Sequence, residues 1–124
     1  MDDAQQIQEK LRSLGERYLR RTYSGMGQLE AAVADLRAGS PGALKEIERM
    51  MHKIHGSGAM FGFSAISECA GRGEMLCVAN PPEASIADTL ASYVEELRTQ
   101  VQAAASARNV SLEDAPAPSC NSCL

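Results

Sequence analysis

The sequence predicts an all-α protein, an antiparallel up-and-down four-helix bundle with an additional N-terminal helix. Aromatic residues make up only 4% of the 124 residues and Trp is absent, whereas hydrophobic residues reach 44%. This composition favours packed helices over sheets. Apolar residues recur at steps of three and four in five successive segments, as they do on amphipathic helices. A chain of this length forms one domain with a single core, and short connections make neighbouring helices antiparallel.

Two apolar stripes define the first two predicted helices. The stripe of the first helix consists of Ile7, Leu11, Leu14 and Tyr18. After the loose Ser-Gly-Met-Gly segment at 24–27, the stripe of the second helix consists of Met26, Leu29, Val33 and Leu36. Gly39 follows the last of these residues, and we expect it to end the second helix.

The third predicted helix has the strongest start signal in the chain. Ser40 is a good N-cap residue and Pro41 suits a first helical turn, so we expect the helix to begin near Pro41. Its stripe consists of Leu44, Ile47, Met51, Ile54, Gly58 and Phe61. Because Gly58 lies on the stripe, we expect it to let another helix approach closely.

Two further helices complete the predicted bundle. The inward residues of the fourth helix are Ile66, Cys69, Ala70, Gly73, Leu76 and Cys77. The Pro-Pro pair at 81–82 cannot continue this helix and ends it. The fifth helix starts near Glu83 and is expected to be the longest; its stripe consists of Ile86, Leu90, Val94, Leu97 and Val101. Beyond Arg108 the period is lost, so we assign residues 1–108 to the bundle and residues 109–124 to a disordered tail.

Charge and targeting signals exclude several classes of function. The formal net charge is -4 and the pI is about 5.1, so the protein repels phosphate backbones and anionic lipids, and nucleic acid is not an expected partner. No signal peptide and no apolar run of about 20 residues is present. We therefore expect a cytoplasmic protein that does not associate with membranes and whose cysteines stay reduced. We also expect it to be a monomer. Cys120 and Cys123 lack a second pair of zinc ligands.

The outer face of the third helix carries an unusual pair of residues. His52 lies roughly 130° from the centre of the apolar stripe, at about 100° per residue, and so faces water. Gly56 lies one turn further along the same face, where a glycine costs about 1 kcal/mol against alanine and gains no packing. We interpret Gly56 as surface left bare so that a partner can bring a reactive group up to the imidazole.

Basic residues surround His52 in the sequence. Lys45, Arg49 and Lys53 lie on or beside its face, and Glu48 is the only acid that the sequence places nearby. A basic rim on an acidic protein suits a negatively charged group. Charges of this kind are also typical of an ordinary solvated helix face, so the prediction depends on the combination with His52 and Gly56.

These residues belong to a recognisable motif. The string His52-x-x-His55-Gly56-Ser57-Gly58-x-x-x-Gly62 resembles the signature of histidine-containing phosphotransfer (Hpt) domains. The family pattern continues through Phe63, Ile66, Cys69 and Glu74, and the resemblance covers roughly residues 18–97. A phosphate loop is a poor alternative, because these glycines follow a helix rather than a strand and no Walker lysine-serine pair is present. His52 and His55 also lack the Glu-x-x-His spacing of a bundle metal site.

The resemblance implies a function and a set of partners. His52 is implied to take a phosphoryl group from the aspartate of one response-regulator receiver domain and to pass it to another, with a hybrid sensor histidine kinase upstream. The implied contacts with the phosphoryl group or the receiver are Lys45, Arg49, Lys53, His55, Gly56, Ala59 and Phe63. The chain is then a phosphocarrier without autokinase activity. The alternative is an interaction-only module that binds a receiver or kinase without carrying phosphate.

The sequence departs from the family pattern at two positions. His55 stands where most members have Lys, which removes a permanent cation from the site. Gly73 stands where the family usually has a large apolar residue, so we expect the fourth helix to be loose or closely crossed. No acidic cluster lies beside His52 to hold Mg²⁺, so we expect no cofactor of the chain's own and assign the metal to the receiver domain.

Overall fold

The computed structural model describes residues 2–79 and 83–112, with no strand among them. Its five helices are α1 (Asp3–Ser24), α2 (Met26–Arg37), α3 (Ala43–Met60), α4 (Ser64–Ala79) and α5 (Glu83–Ala107). The predicted all-α class is therefore confirmed. As expected, α5 is the longest helix of the described ranges, with 25 residues.

Four of the helices pack in a ring. Helix α3 contacts α2 and α4, and α5 contacts the same two helices from the other side. Across the α3/α4 interface, His52 pairs with Glu74 near the middle of α3, and Gly58 faces Ser67 near its end. The residue numbers rise along α3 as they fall along α4, so these two helices are antiparallel.

Ion pairs show the same arrangement on the opposite side of the ring. The Arg98 side chain of α5 donates to Glu30 of α2, and Arg37 of α2 lies 2.8 Å from Asp88 of α5. The numbering again runs in opposite directions, so α2 and α5 are antiparallel. Surface pairs of this kind contribute at most about 1 kcal/mol each, and the apolar core provides most of the stability.

The predicted stripes of the last three helices form that core. All five stripe residues predicted for α5 are buried, as are Ile47, Met51 and Ile54 of α3. The inward residues predicted for α4 are buried too, except that Leu76 is half-buried at the edge of the core. Steps of three and four in the sequence therefore identified the buried faces of these helices correctly.

Helix α2 ends at the predicted glycine. Gly39 has a φ of +79° and follows Ala38, the C-cap residue. The Gly39 amide donates to the carbonyl of Leu36, and the Ser40 amide donates to the carbonyl of Asp35 at 2.9 Å. This pair of bonds is the Schellman arrangement, which needs a residue with positive φ and so favours glycine.

The predicted start of α3 at Ser40 and Pro41 was wrong. The helix begins at Ala43, and its N-cap is Gly42, which has a φ of +83° and provides no side-chain hydrogen bond. The physical reason is that the Ser40 amide already closes α2. Residues 40–42 therefore form the connection between the two helices rather than the first turn of the second.

Among the helices that the structure describes, none lies against the first half of α1. Ile7 and Leu11 are each 60% exposed and Leu14 is 37% exposed, and every residue from 2 to 14 is exposed. The periodicity correctly predicted a helix here, and Asp2 caps it by accepting a hydrogen bond from the Gln5 amide. The stripe joins the core only at Tyr18, which is 2% exposed.

Stacked aromatic rings attach α1 to the end of α3. The Tyr18 ring stacks on Phe61 at a centroid distance of 4.9 Å and on Phe63 at 5.8 Å. The Tyr18 hydroxyl lies 3.0 Å from that of Ser57, and burial raises the pKa of this tyrosine. Phe63 is only 7% exposed, so it packs in the core instead of facing a partner.

The predicted boundary after Arg108 falls too early. Val110 and Leu112 are partly buried against the core, and Arg20 Nε donates to the Ser111 carbonyl at 3.1 Å. Residues 109–112 therefore pack on the bundle. The remainder of the predicted tail, with Cys120 and Cys123, lies outside the described residues. Among the described helices, none has the length and apolar content needed to cross a membrane.

Candidate functional site

His52 projects from the outer face of α3, as the sequence predicted. Its neighbours Met51 and Ile54 are buried in the core and fix the rotation of the helix. The His52 side chain is 72% exposed as a result. Close packing of the inner face thus holds the imidazole in a defined position at the surface.

Glu74 of α4 orients the His52 ring. Its Oε2 atom lies 2.6 Å from His52 Nδ1, and the Glu74 side chain is only 21% exposed. When Nδ1–H donates to this carboxylate, the proton is fixed on Nδ1 and the lone pair on Nε2 faces outward. The site therefore presents a single nucleophilic nitrogen to solvent.

The prediction that Glu48 is the only acid near His52 was wrong. Glu74 is far away in the sequence, and the antiparallel packing of α3 and α4 brings it into contact. Before the structure, the one signal for Glu74 was its match to the family pattern after the motif. Helical periodicity within α3 could not have identified it.

His55 is held against α4. Its Nδ1–H donates to the Ser67 carbonyl at 2.8 Å, and Ser67 Oγ donates to the His55 carbonyl at 2.7 Å. The ring lies over Gly71, where a Cβ atom would come within 2.8 Å of His55 Nδ1. His55 therefore links two helices, and Gly71 leaves room for its ring.

Two other glycines allow α3 and α4 to cross closely. A Cβ atom at Gly58 would lie 3.1 Å from the Ser67 backbone nitrogen, so the predicted close approach is confirmed. A Cβ atom at Gly73 would lie 3.0 Å from the sulfur of Met51. Of the two possibilities predicted for α4, the structure shows the closely crossed one.

The surface next to His52 is open at Gly56. This glycine is exposed, and a Cβ atom built there would meet nothing within 4 Å. Ala59, one turn further along, is also exposed. The surface at Gly56 is therefore bare next to His52, as predicted, while the exposed Met60 side chain lies one turn further along.

The basic rim is largely paired with acids. Lys45 Nζ lies 3.3 Å from Glu48, and Arg49 donates to both carboxylate oxygens of Glu46, at 2.5 and 3.1 Å. The hydrogen bond from Arg49 lowers the pKa of Glu46 and raises that of the guanidinium. Lys53 is half-buried beside His52. The rim is thus less positive than the sequence predicted.

A shallow open groove of about 740 Å³ runs along α4 next to the site. His55, Gly71 and Glu74 line it together with Met75, whose side chain is exposed. The groove thus places apolar surface directly beside the oriented imidazole. Protein interfaces typically combine apolar surface with polar groups, so this region is suited to docking of a protein partner.

The described cysteines provide no second nucleophile. Cys69 and Cys77 are buried and unpaired, and burial raises the pKa of both thiols to about 11. They remain protonated near neutral pH and pack as small apolar residues. Within residues 2–79 and 83–112, no cluster of three or more His, Cys, Asp or Glu side chains could hold a metal ion.

Comparison with protein families agrees with this geometry. A family model described as the Hpt domain matches residues 2–107, while no curated protein and no solved structure gives a match. Members of this family are phosphocarrier modules of two-component phosphorelays, in which they interact with receiver domains and histidine kinases. The match covers most of the chain and confirms the resemblance carried by the His52 motif. The chain belongs to the Hpt domain family.

Proposed function

We propose that this chain is a phosphorelay intermediate that carries a phosphoryl group on His52. In this proposal it accepts the group from the aspartyl phosphate of one receiver domain and passes it to the aspartate of another. A single observation carries the proposal: His52 is exposed and its Nδ1 atom is held by Glu74. A histidine that only contacts solvent does not need a carboxylate to fix the orientation of its ring.

The chemical step is a direct exchange of bonds. The Nε2 lone pair attacks phosphorus in line with the bond to the aspartate oxygen. A nitrogen–phosphorus bond forms, the phosphorus–oxygen bond breaks, and the carboxylate leaves with the electron pair. Return of the group to a second receiver reverses these changes, so no general base is required.

Glu74 contributes by stabilising the charge that develops on the ring. As Nε2 attacks, the imidazole becomes positive, while its proton stays on Nδ1 beside the carboxylate. The hydrogen bond then joins two opposite charges and is stronger than it was in the free protein. An interaction that strengthens along the reaction lowers the barrier, in the manner of the acid behind a catalytic histidine.

The receiver is proposed to supply the remaining parts of the reaction. Lys45 and Arg49 are each paired with a glutamate, and His55 is bonded to α4. Phosphoryl transfer needs a metal ion to neutralise the oxygens, and we assign Mg²⁺ to the receiver's own site. The chain by itself is then a carrier and has no autokinase activity.

The proposed docking surface surrounds the acceptor nitrogen. Gly56 and Ala59 form its bare centre, and Lys45, Arg49 and Lys53 form its charged edge. Phe63 is left out because it is buried. The exposed Met75 extends the surface along α4. Every residue of this surface comes from α3 or α4 of one chain, so a single copy is sufficient for transfer.

The remaining parts of the proposal concern context. We place the protein in the cytoplasm, between a hybrid sensor kinase and response regulators. The ring of contacts and the antiparallel α3/α4 and α2/α5 pairs support an up-and-down four-helix bundle, with α1 as the additional N-terminal helix. The alternative function is the interaction-only module, which binds the same partners without accepting phosphate.

Incubation with phosphorylated receivers tests the proposal. A panel of receiver domains is charged with a small phosphodonor and mixed with the full-length chain, and the phosphorylated residue is identified by mass spectrometry at neutral pH. We expect an acid-labile phosphate on His52, its loss in His52→Gln, and its retention in the matched variant His55→Gln. Binding of a receiver without phosphate transfer from any member of the panel would favour the interaction-only module.

A further inference from the structure

The exposed apolar stripe of α1 is not explained by the proposed function. Ile7, Leu11 and Leu14 lie on one face of a segment whose residues, from 2 to 14, are all exposed. A free helix of about 12 residues is only marginally stable in water. Its three large apolar side chains remain in water, so they contribute no burial free energy that would stabilise the helix. This segment is therefore expected to gain from a partner.

The spacing of the stripe indicates that the partner is another helix. Ala4, Ile7, Leu11 and Leu14 are separated by steps of three, four and three. This is the repeat of a two-stranded coiled coil, in which such residues alternate along a narrow seam. Tyr18 continues the repeat but is buried in the bundle. The seam is thus occupied at one end of α1 and open at the other.

The charges on α1 indicate which helix the partner is. The acidic residue Asp3 lies at the tip of the exposed segment, and the exposed basic residue Arg17 lies beyond its far end, while Arg12 is paired with Glu16 of the same helix. A parallel copy would place like charges together. An antiparallel copy places the acidic tip of each helix beside the basic part of the other. The segment is therefore complementary to itself in the antiparallel direction.

We propose that the exposed stripe of α1 pairs with the same stripe of a second copy of this chain, as an antiparallel two-helix seam. In this arrangement Ala4 faces Leu14 of the other copy, and Ile7 faces Leu11. Small residues then meet large ones at the two ends of the seam, and all four layers fall within residues 2–14. A dimer replaces the monomer expected from the sequence.

The same register determines the charged residues that flank the seam. Asp3 and Arg17 each precede a seam position by one residue, so they lie on the same side of it. Residues on this side face one another in an antiparallel pair, which gives two Asp3 to Arg17 contacts between copies. Lys10 lies on the same side, close to the two-fold axis, and faces the Lys10 of the other copy. This like-charge pair weakens the dimer.

The interface is short, so association is expected to be reversible. Contacts of this size are typical of transient complexes, with a dissociation constant on the order of 100 µM. Sedimentation velocity of the full-length chain from about 10 µM to 1 mM is expected to show a shift from monomer to dimer. A monomer throughout this range would overturn the proposal.

Substitutions identify the surface involved. Leu11→Gln is expected to weaken association at least tenfold, because two buried leucines are lost from each dimer. The matched control is Met60→Gln, which removes a side chain that is 75% exposed on α3 and is expected to change nothing. Equal effects of the two variants would overturn the assignment to α1. Lys10→Gln is expected to tighten the dimer.

Charge reversal determines the direction of the helices. Asp3→Arg and Arg17→Asp are each expected to weaken association, and the double variant is expected to recover it, because each copy again presents opposite charges to the other. In a parallel dimer Asp3 and Arg17 lie far apart, and the double variant would show no recovery. Circular dichroism of each variant checks that the helix content is unchanged. Dimerisation without this recovery would overturn the antiparallel arrangement.

Discussion

The carboxylate of Glu74 and Nδ1 of His52 lie 2.6 Å apart, although the two residues belong to different helices. Glu74 is therefore a positioning residue for the proposed phosphoryl acceptor. Its helix is itself fixed by the close approach of Ser67 to Gly58. Small changes in the crossing of α3 and α4 should therefore shift the position of the His52 ring.

Glu74→Gln is expected to slow phosphoryl transfer roughly tenfold, as loss of an orienting carboxylate typically does. The amide oxygen still accepts from Nδ1–H, so the ring stays oriented while the stabilising charge is lost. Single-turnover transfer from a charged receiver measures the effect. Glu48→Gln is the matched control, since Glu48 is also partly buried but pairs with Lys45. Equal rates for the two variants would remove Glu74 from the mechanism.

Gly56→Leu is expected to block receiver docking while leaving the fold intact. The new side chain meets no neighbour, so stability should be unchanged or higher by about 0.5–1 kcal/mol. It does, however, fill the space above the helix beside His52. Titration with a receiver measures the loss of binding. Gly27→Leu, at an equally open helical position on α2, should bind normally.

Gly58→Ala and Gly56→Ala are expected to change stability in opposite directions. At Gly58 the added methyl group would press on the Ser67 backbone at 3.1 Å. Overpacking of this kind costs about 1–3 kcal/mol, which exceeds the roughly 1 kcal/mol gained in helix propensity. At Gly56 the added methyl group meets no neighbour, so only the gain in helix propensity remains. Urea unfolding of the two variants compares them directly, and the same sign for both would contradict the close crossing.

Two truncations are expected to distinguish the contribution of residues 109–112 to stability from that of the residues that follow. A chain ending at 108 loses the contacts of Val110 and Leu112 with the core, which should cost about 1–2 kcal/mol. A chain ending at 112 should unfold at the same urea concentration as the full-length protein. If both truncations were equally stable, the packing of 109–112 would contribute nothing.

The buried thiols predict a loss of stability at high pH. Burial raises the pKa of Cys69 and Cys77 to about 11 in the folded protein, whereas an unfolded cysteine ionises near 8.5. The unfolded state therefore binds fewer protons between these values, and the free energy of unfolding falls as the pH rises through that window. Urea unfolding from pH 8 to 11 measures the slope, which should be smaller in the double variant Cys69→Ala/Cys77→Ala.

Periodicity within one helix was a reliable guide wherever that helix had a neighbour. The buried faces of α3, α4 and α5 follow the predicted stripes, and the exposure of His52 follows from the same pattern. The stripe of α1 has the same period, but the part of it that precedes Tyr18 has no neighbour among the described residues. Apolar spacing indicates which face of a helix would be buried, and does not show whether anything lies against it.

Contacts between residues that are far apart in the chain could not be predicted from the sequence. Glu74 reaches His52, and Ser67 reaches His55, only because two helices cross at small residues. Gly71 is informative in retrospect, since a glycine within a helix that leaves room for a ring marks a close contact. The prediction that Phe63 contacts a partner was wrong for a related reason. The family motif gave only its position in the chain, whereas its burial depends on the aromatic stack with Tyr18.

The hydrogen bond from Nδ1 of His52 has a kinetic consequence for the proposed relay. With that nitrogen occupied, phosphate can arrive and leave only through Nε2, next to the bare surface at Gly56. Donor and acceptor receivers must then use the same opening in succession and cannot both be bound. The carrier should exchange phosphate by a ping-pong scheme, in which surplus unphosphorylated donor competes with the acceptor and slows the output of the pathway.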